Sequence, residues 1–308
     1  VSDFNLTDIV HGSAEWHDIR RKAITGTDLA AVLGLPAYRT ALDIYYRVLE
    51  LGGGRVDEEN AFMRWGNVME PVAAQQFEVA TGMPVDLNSR LAIHPDIPYL
   101  MGSPDGFVTD PMTGEVCIWE GKAPSFYTRD QWAPGVCPEH YIHQVEAYLA
   151  ICGLRRGFVC ALMPPAARED DLTQSTEVIV TDERRREIED AVRSWWQRHI
   201  IDEVEPVAVS RDESFLRELH PDDEPRTVTL PIEEAGAYVA AKTQADTAKD
   251  AEKAAKARLI QRMGSAAWGS TEDGAHAFSF RTNKRGVRSL RAIPQLPKAA
   301  PSPEVKAS

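Results

Sequence analysis

The sequence predicts an α+β protein: a central mixed β-sheet flanked by helices, with a C-terminal helical and β-hairpin extension. Three observations carry this. Segments with a 3.6-residue apolar period occur among short runs rich in β-branched and aromatic residues. Gly and Pro punctuate the boundaries between them. The composition then shifts after about residue 205, which divides the chain into a core at 1–205 and an extension at 206–308.

The elements follow in order. Thr27 is placed to cap a short helix over LAAVLG, and a further helix is predicted near 40–51, before a Gly-rich break at 52–54. The segment 66–82 reads as an amphipathic helix whose apolar stripe is Val68, Val72, Ala73, Phe77 and Ala80. Strands are expected near 90–94, 98–109, 115–122 and 156–163. A helix at 139–153 lies between the last two, with Tyr141, Val145, Tyr148, Leu149 and Cys152 on its buried side. A loop at 166–173, a strand at 177–181 and a helix at 182–201 close the core. Beyond it, Pro231 opens a long helix at 232–263, stopped by Gly264, and a hairpin at 267–281 turns at Asp273-Gly274. Residues 281–298 hold six basic residues and no acid, among them Arg281, Lys284, Arg285 and Arg288, candidates for contact with DNA or a partner. The tail beyond is expected to be disordered.

The chemistry gathers around Ser103-Pro104-Asp105-Gly106 and Glu120-Gly121-Lys122. Glu120 and Lys122 are two apart on a strand and so share a face. A hairpin would bring Asp105 beside them. Two carboxylates and an ammonium at one point suit Mg²⁺ or Mn²⁺ and phosphodiester hydrolysis. A surface hairpin with an ordinary ion pair is the bland alternative. Glu70, on the helix before Pro71, is either a third acid or a first-turn residue favouring the helix dipole. Gln144 lies beside the buried face of its helix. His140 and His143 are three apart but have no evident third ligand, so they read as groove or surface histidines. Near the N-terminus, Trp16, Arg20 and Thr27 precede a helix start, a combination suited to phosphate.

Composition sets bounds. No apolar run has membrane-spanning length and no leader is visible, so a cytoplasmic protein is expected. Cys117, Cys137, Cys152 and Cys160 include no C-x-x-C pair, which argues against zinc, an iron–sulfur cluster and a disulfide framework. The net charge is −13, and residues 1–200 carry 18 Lys and Arg against 30 Asp and Glu. Nucleic-acid binding would then need a narrow basic track in an acidic body.

Taken in order, W-x3-R-x4-T-x-T, G-x3-E-P, S-P-D-G, E-x-K and a late helical Gln resemble the YqaJ-like viral recombinase family. This is the group of phage lambda exonuclease within the PD-(D/E)XK nucleases, and the likeness covers roughly residues 14 to 200. The resemblance implies a restriction-endonuclease-like core and a 5′-to-3′ exonuclease that leaves 3′ single-stranded overhangs on linear duplex DNA for phage recombination. It implies that Glu70, Asp105, Glu120 and Gly121 make up the metal set, for two Mg²⁺ with Mn²⁺ as substitute. By the same likeness Lys122 activates water and Gln144 sits beside it, while Arg20, Thr27 and Ser103 hold the 5′-phosphate. Thr27 stands where lambda-type enzymes often have Ser, so the hydroxyl survives. A homotrimer, a phage single-strand annealing partner and a bacterial host cytoplasm are also implied. The alternatives are a restriction-type or junction-resolving endonuclease of the same superfamily, and a catalytically silent DNA- or partner-binding module.

Overall fold

The computed structural model describes residues 4–51, 61–132, 135–163 and 172–296. The expected Gly-rich break, most of the loop at 166–173 and the tail lie outside them. Two compact units result, 1–223 and 224–308. The first runs past residue 205 because the segment after it returns to the core. Phe215 packs edge-on against Tyr46 at 5.1 Å, and Thr40 donates a 2.5 Å hydrogen bond to Asp212.

The first unit begins with β1 (Leu6–Val10), α1 (Ala14–Arg21) and β2 (Ile24–Thr25). A 3₁₀ turn at Gly26–Asp28 leads into α2 (Leu29–Val32), followed by α3 (Ala41–Val48) and α4 (Ala61–Thr81). Strands β3 (Val85–Leu87), β4 (Arg90–His94), β5 (Ile97–Gly102), β6 (Gly106–Thr109) and β7 (Val116–Lys122) come next. Then α5 (Glu139–Cys152), β8 (Arg156–Leu162), β9 (Thr173–Ile179), α6 (Asp182–Trp196) and α7 (Glu213–Leu219) complete it.

The strands form two mixed sheets. One has the order β1-β4-β5-β2 and the other β3-β6-β7-β8-β9, each with one parallel pair. The run expected as one strand at 98–109 is therefore two, β5 and β6, lying in different sheets. Ser103-Pro104-Asp105 is the crossover, and Pro104, which has no N–H to donate, suits the break. In the larger sheet β6 and β7 form a hairpin with Gly106 opposite Trp119, which sets Asp105 across from Glu120.

The larger sheet buries both faces. Ala73, Ala74 and Phe77 of α4 pack on Trp119, Phe158 and Cys160. On the other face Ile118, Val159 and Ala161 meet Val145, Leu149 and the apolar side of α6. The stripe expected on α4 is thus displaced. Val68 and Val72 are 65 % and 40 % exposed, whereas Ala74, outside that stripe, is buried. The buried face is chosen by what it meets: small alanines let the Trp119 indole lie close to the helix.

One buried ion pair joins the N-terminal elements. Asp28 Oδ2 accepts from the Thr25 N–H at 2.8 Å, the Thr25 hydroxyl at 2.7 Å and Arg47 at 2.7 Å. Arg47 also donates to the Ala23 carbonyl. Thr25, rather than Thr27, is therefore the capping residue here. These charge-assisted bonds hold the Asp28 carboxyl below its ordinary range although burial opposes them.

In the second unit α8 (Ile232–Met263) precedes a sheet of β10 (Trp268–Ser270), β11 (Ala277–Thr282) and β12 (Arg288–Ile293). The expected hairpin is β10–β11; β12, inside the basic segment, was not expected as a strand. Removing one member of the buried pair by Arg47→Met takes from the Asp28 carboxylate its hydrogen-bonded cation. Stability should fall by about 3 kcal/mol in denaturant unfolding, and a change near zero would show the pair to be dispensable.

Candidate active site

Site construction starts at β7, where successive side chains alternate between sheet faces. Trp119 enters the core against α4, and Glu120 and Lys122 project to the other side. Lys122 Nζ donates to Glu120 Oε1 at 2.5 Å. Asp105 reaches the same place from the crossover just before β6, its Oδ2 accepting the Gly121 N–H at 2.9 Å. From α5, Gln144 donates one amide hydrogen to Glu120 Oε1 at 2.7 Å and the other to the Tyr148 hydroxyl at 2.9 Å.

Glu120 is 1 % exposed, and its second oxygen, Oε2, is buried without a protein partner. Burial, then the Asp105 charge, pushes its carboxyl up to about 8. Burial and Asp105 also raise Glu70 to about 7. Asp105 is raised by burial, against the pull of Lys122. Burial works against the Lys122 ammonium, but Glu120 and Asp105 outweigh it and hold the lysine protonated.

Tyr148 links this acid to the N-terminal pocket, a role that spacing alone did not reveal. A Cβ at Gly26 or at Gly102 would lie 2.3 Å from its ring. The ring is clasped between the turn that carries Thr27 and the end of β5 just before Ser103. Only glycine permits backbone this close on both sides. The signal was the Gln144-x3-Tyr148 spacing, which places both residues on one face of α5.

The N-terminal pocket has its own order. Trp16 Nε1 donates to the Ser103 hydroxyl at 3.0 Å, and Arg20 lies 3.9 Å over the Trp16 ring. Arg20 Nε is buried without a protein partner. Thr27 shares a 2.9 Å hydrogen bond with Thr25. Arg20, Thr27, Arg39, Glu70, Lys122 and Gln144 line one cavity of about 1160 Å³. Of the candidate residues, Arg20, Thr27, Glu70, Gly121, Lys122 and Gln144 thus line one cavity. Asp105 and Glu120 stand behind that lining, and Ser103 touches it through Trp16.

Other candidates fall elsewhere. His140 lines the cavity, but His143 pairs with Glu146, which Arg184 also grips with two hydrogen bonds. Arg288 donates to the carbonyls of Gly264, Ser265, Ala266 and Phe280, closing the end of α8. It is a structural arginine. Arg281, Lys284 and Arg285 lie exposed on the second unit. All four cysteines are free and buried. No helix among the described residues is long and apolar enough to cross a membrane.

Two outcomes follow from this geometry. With Glu120 titrating near 8 in the fold and near 4.5 unfolded, the folded chain retains protons that the unfolded chain has released. Stability in a chelator should therefore fall as pH rises through that window. Glu120→Gln should flatten the fall in a pH series of denaturation midpoints; an unchanged slope would refute the assignment. Tyr148→Phe leaves a Gln144 N–H unpaired and should cost about 1–2 kcal/mol in denaturant unfolding.

Residues 15–155 match the family model described as YqaJ-like viral recombinase domain. The uncharacterized protein YqaJ of Bacillus subtilis (strain 168) is 29 % identical over 140 residues, 45 % of this chain and 42 % of that protein. The chain thus matches less than half the length of that curated relative. Among solved structures, LHK-Exo in complex with dAMP shares the fold at TM-score 0.50 and 24 % identity, over 62 % of this chain and 94 % of that one. A second structure of LHK-Exo, an alkaline exonuclease from Laribacter hongkongensis, matches at TM-score 0.49 and 23 % identity, with the same coverage. The ordered motifs, from Trp16 to Gln144, all fall within this one matched segment, residues 15–155, which is similar to the YqaJ-like viral recombinase domain.

Proposed function

We propose that this chain is a metal-dependent DNA exonuclease that digests one strand of linear duplex DNA from its 5′ end and leaves a 3′ single-stranded overhang. The supporting observation is the shared cavity. Its lining includes Lys122 and Gln144, with Glu120 behind them, together with Arg20 and Thr27. A strand end whose 5′-phosphate rests on Arg20 and Thr27 would present its next phosphodiester to the acids.

The donor chemistry fits a hard divalent cation. Glu70, Asp105 and Glu120 all have raised carboxyl pKa values, and Glu120 Oε2 is buried with no partner, so this corner is short of positive charge. Among the described residues no three His, Cys, Asp or Glu side chains already form a close metal-binding group. Lys122 occupies Glu120 instead. Glu70, Asp105, Glu120 and the Gly121 backbone would hold the ion, Mg²⁺ with Mn²⁺ as substitute and two per site. Bound there, it would polarise the scissile phosphate and make a water more acidic.

The chain's own groups have separate tasks. Lys122, whose ammonium is favoured by Glu120 and Asp105, would orient water and balance charge on the phosphate oxygens. Gln144 fixes the Glu120 carboxylate, and Tyr148 fixes Gln144. Arg20, stacked on Trp16, supplies a preset planar donor for the terminal phosphate. The same reading carries a homotrimer and a phage single-strand annealing partner for the overhang.

Digestion of a linear duplex, with and without a 5′-phosphate, beside a closed circle tests the reading. Mg²⁺-dependent release of mononucleotides from the 5′-phosphorylated end, with the circle intact, is expected. Asp105→Ala and Lys122→Ala should each reduce the rate by at least about a hundredfold while the fold persists. Cutting of the circle would assign an endonuclease instead, and full activity in either variant would remove the mechanism.

A further inference from the structure

The charge of this chain is divided between its two units. Residues 1–223 carry 20 Lys and Arg against 38 Asp and Glu; residues 224–308 carry 14 against 9. An acidic first unit and a basic second one make the second the place where a polyanion is drawn by field alone.

Within the second unit the cations are placed by the sheet. Ser279 pairs with Trp268 on one side and Arg291 on the other, and Arg281 pairs with Ser289. Side chains alternate along a strand, so these five residues share one face. Phe278, Phe280, Arg288 and Leu290 take the opposite face, where Arg288 lies 3.9 Å over the Phe280 ring. The first face therefore offers two arginines, two serine hydroxyls and an indole, with Arg281 5.4 Å over the Trp268 ring. Arg281 and Arg291 are diagonal neighbours about 7 Å apart. Lys284 and Arg285 extend the row into the β11–β12 turn. These four cations are exposed, and no carboxylate among the described residues pairs with them. Residues 274–296 contain no acid.

We infer that this sheet face binds the phosphodiester backbone of nucleic acid, without reading its bases. Arginines interleaved with hydroxyls are the groups that meet phosphate oxygens, and the Trp268 edge adds a stacking surface for an unpaired base. The face is poor in the apolar area that would anchor a protein partner. Arg288 is excluded from it, because its donors are spent on backbone carbonyls.

The test uses the full chain in chelator, where no cleavage occurs. Binding of a labelled single strand, and of the same sequence as duplex, is followed by anisotropy across a salt series. Arg281→Gln, Lys284→Gln, Arg285→Gln and Arg291→Gln are combined in one variant, with circular dichroism as the folding check and Arg288→Gln as a second variant. The slope of log affinity against log salt should shrink by about 3 in the fourfold variant. In Arg288→Gln the slope should hold. An unchanged slope in the fourfold variant on both nucleic acids would overturn the inference. So would a loss of self-association in sedimentation with nucleic-acid binding intact, which would assign the face to the acidic unit of a second copy. Because cleavage is not measured, failure here is separable from failure of the nuclease reading.

Discussion

A buried carboxylate at the end of a core strand is the constraint around which the first unit is arranged. Glu120 follows Trp119, one of the largest fully buried side chains, so the strand is fixed by packing one residue before the charge. Its Oε1 takes two donors and its Oε2 none. Left this way the site is costly, since an ionised acid out of water needs more than one lysine beside a second acid. The chain tolerates it through the surrounding clasp: Gln144 is held by Tyr148, and Tyr148 by two glycine backbones. Stability elsewhere supports a locally unfavourable group, which is the pattern expected where charge is to be supplied from outside.

The clasp also joins two regions remote in sequence. Gly26 belongs to the turn stabilised by Asp28 and Arg47, and Gly102 ends the strand before the Ser103-Pro104-Asp105 crossover. A shift of the Tyr148 ring would meet one backbone or the other. The Arg20–Thr27 region and the acid pair are consequently held relative to each other by one rigid ring.

Much of this was legible in the sequence, for stated reasons. The E-x-K spacing gave the shared face because strand alternation is independent of context, and β7 has the expected bounds to within one residue. The ordered motifs gave Gln144 and Glu70 through resemblance. Other features depended on tertiary contact. The face of α4 is set by Trp119, so its own periodicity misplaced Val68 and Val72. The split of 98–109 into β5 and β6 depends on each half finding a different sheet. Thr27 does not cap as expected, because a 3₁₀ turn capped by Thr25 precedes α2, its Thr25 N–H and hydroxyl held by the Asp28 carboxylate that Arg47 fixes from another helix. Arg288 looked like its basic neighbours, and only its place opposite Thr282 on β11 set its guanidinium on the backbone carbonyls at the end of α8.

The acidic balance of the chain, read as a whole, argues against nucleic-acid binding; read by unit, it does not. The acids of the first unit include Glu70, which lines the cavity, and Asp105 and Glu120 just behind it, and there a bound cation would reverse the local sign. The remaining negative surface would repel a duplex everywhere except at that cavity and its arginines. Such a surface favours a threaded end over lateral adhesion. A basic sheet on a separate unit would then supply general attraction without competing for the acids at the cavity. The division of charge between the two units is thus consistent with one task for each: retention of the polymer on the second, and selection of its end on the first.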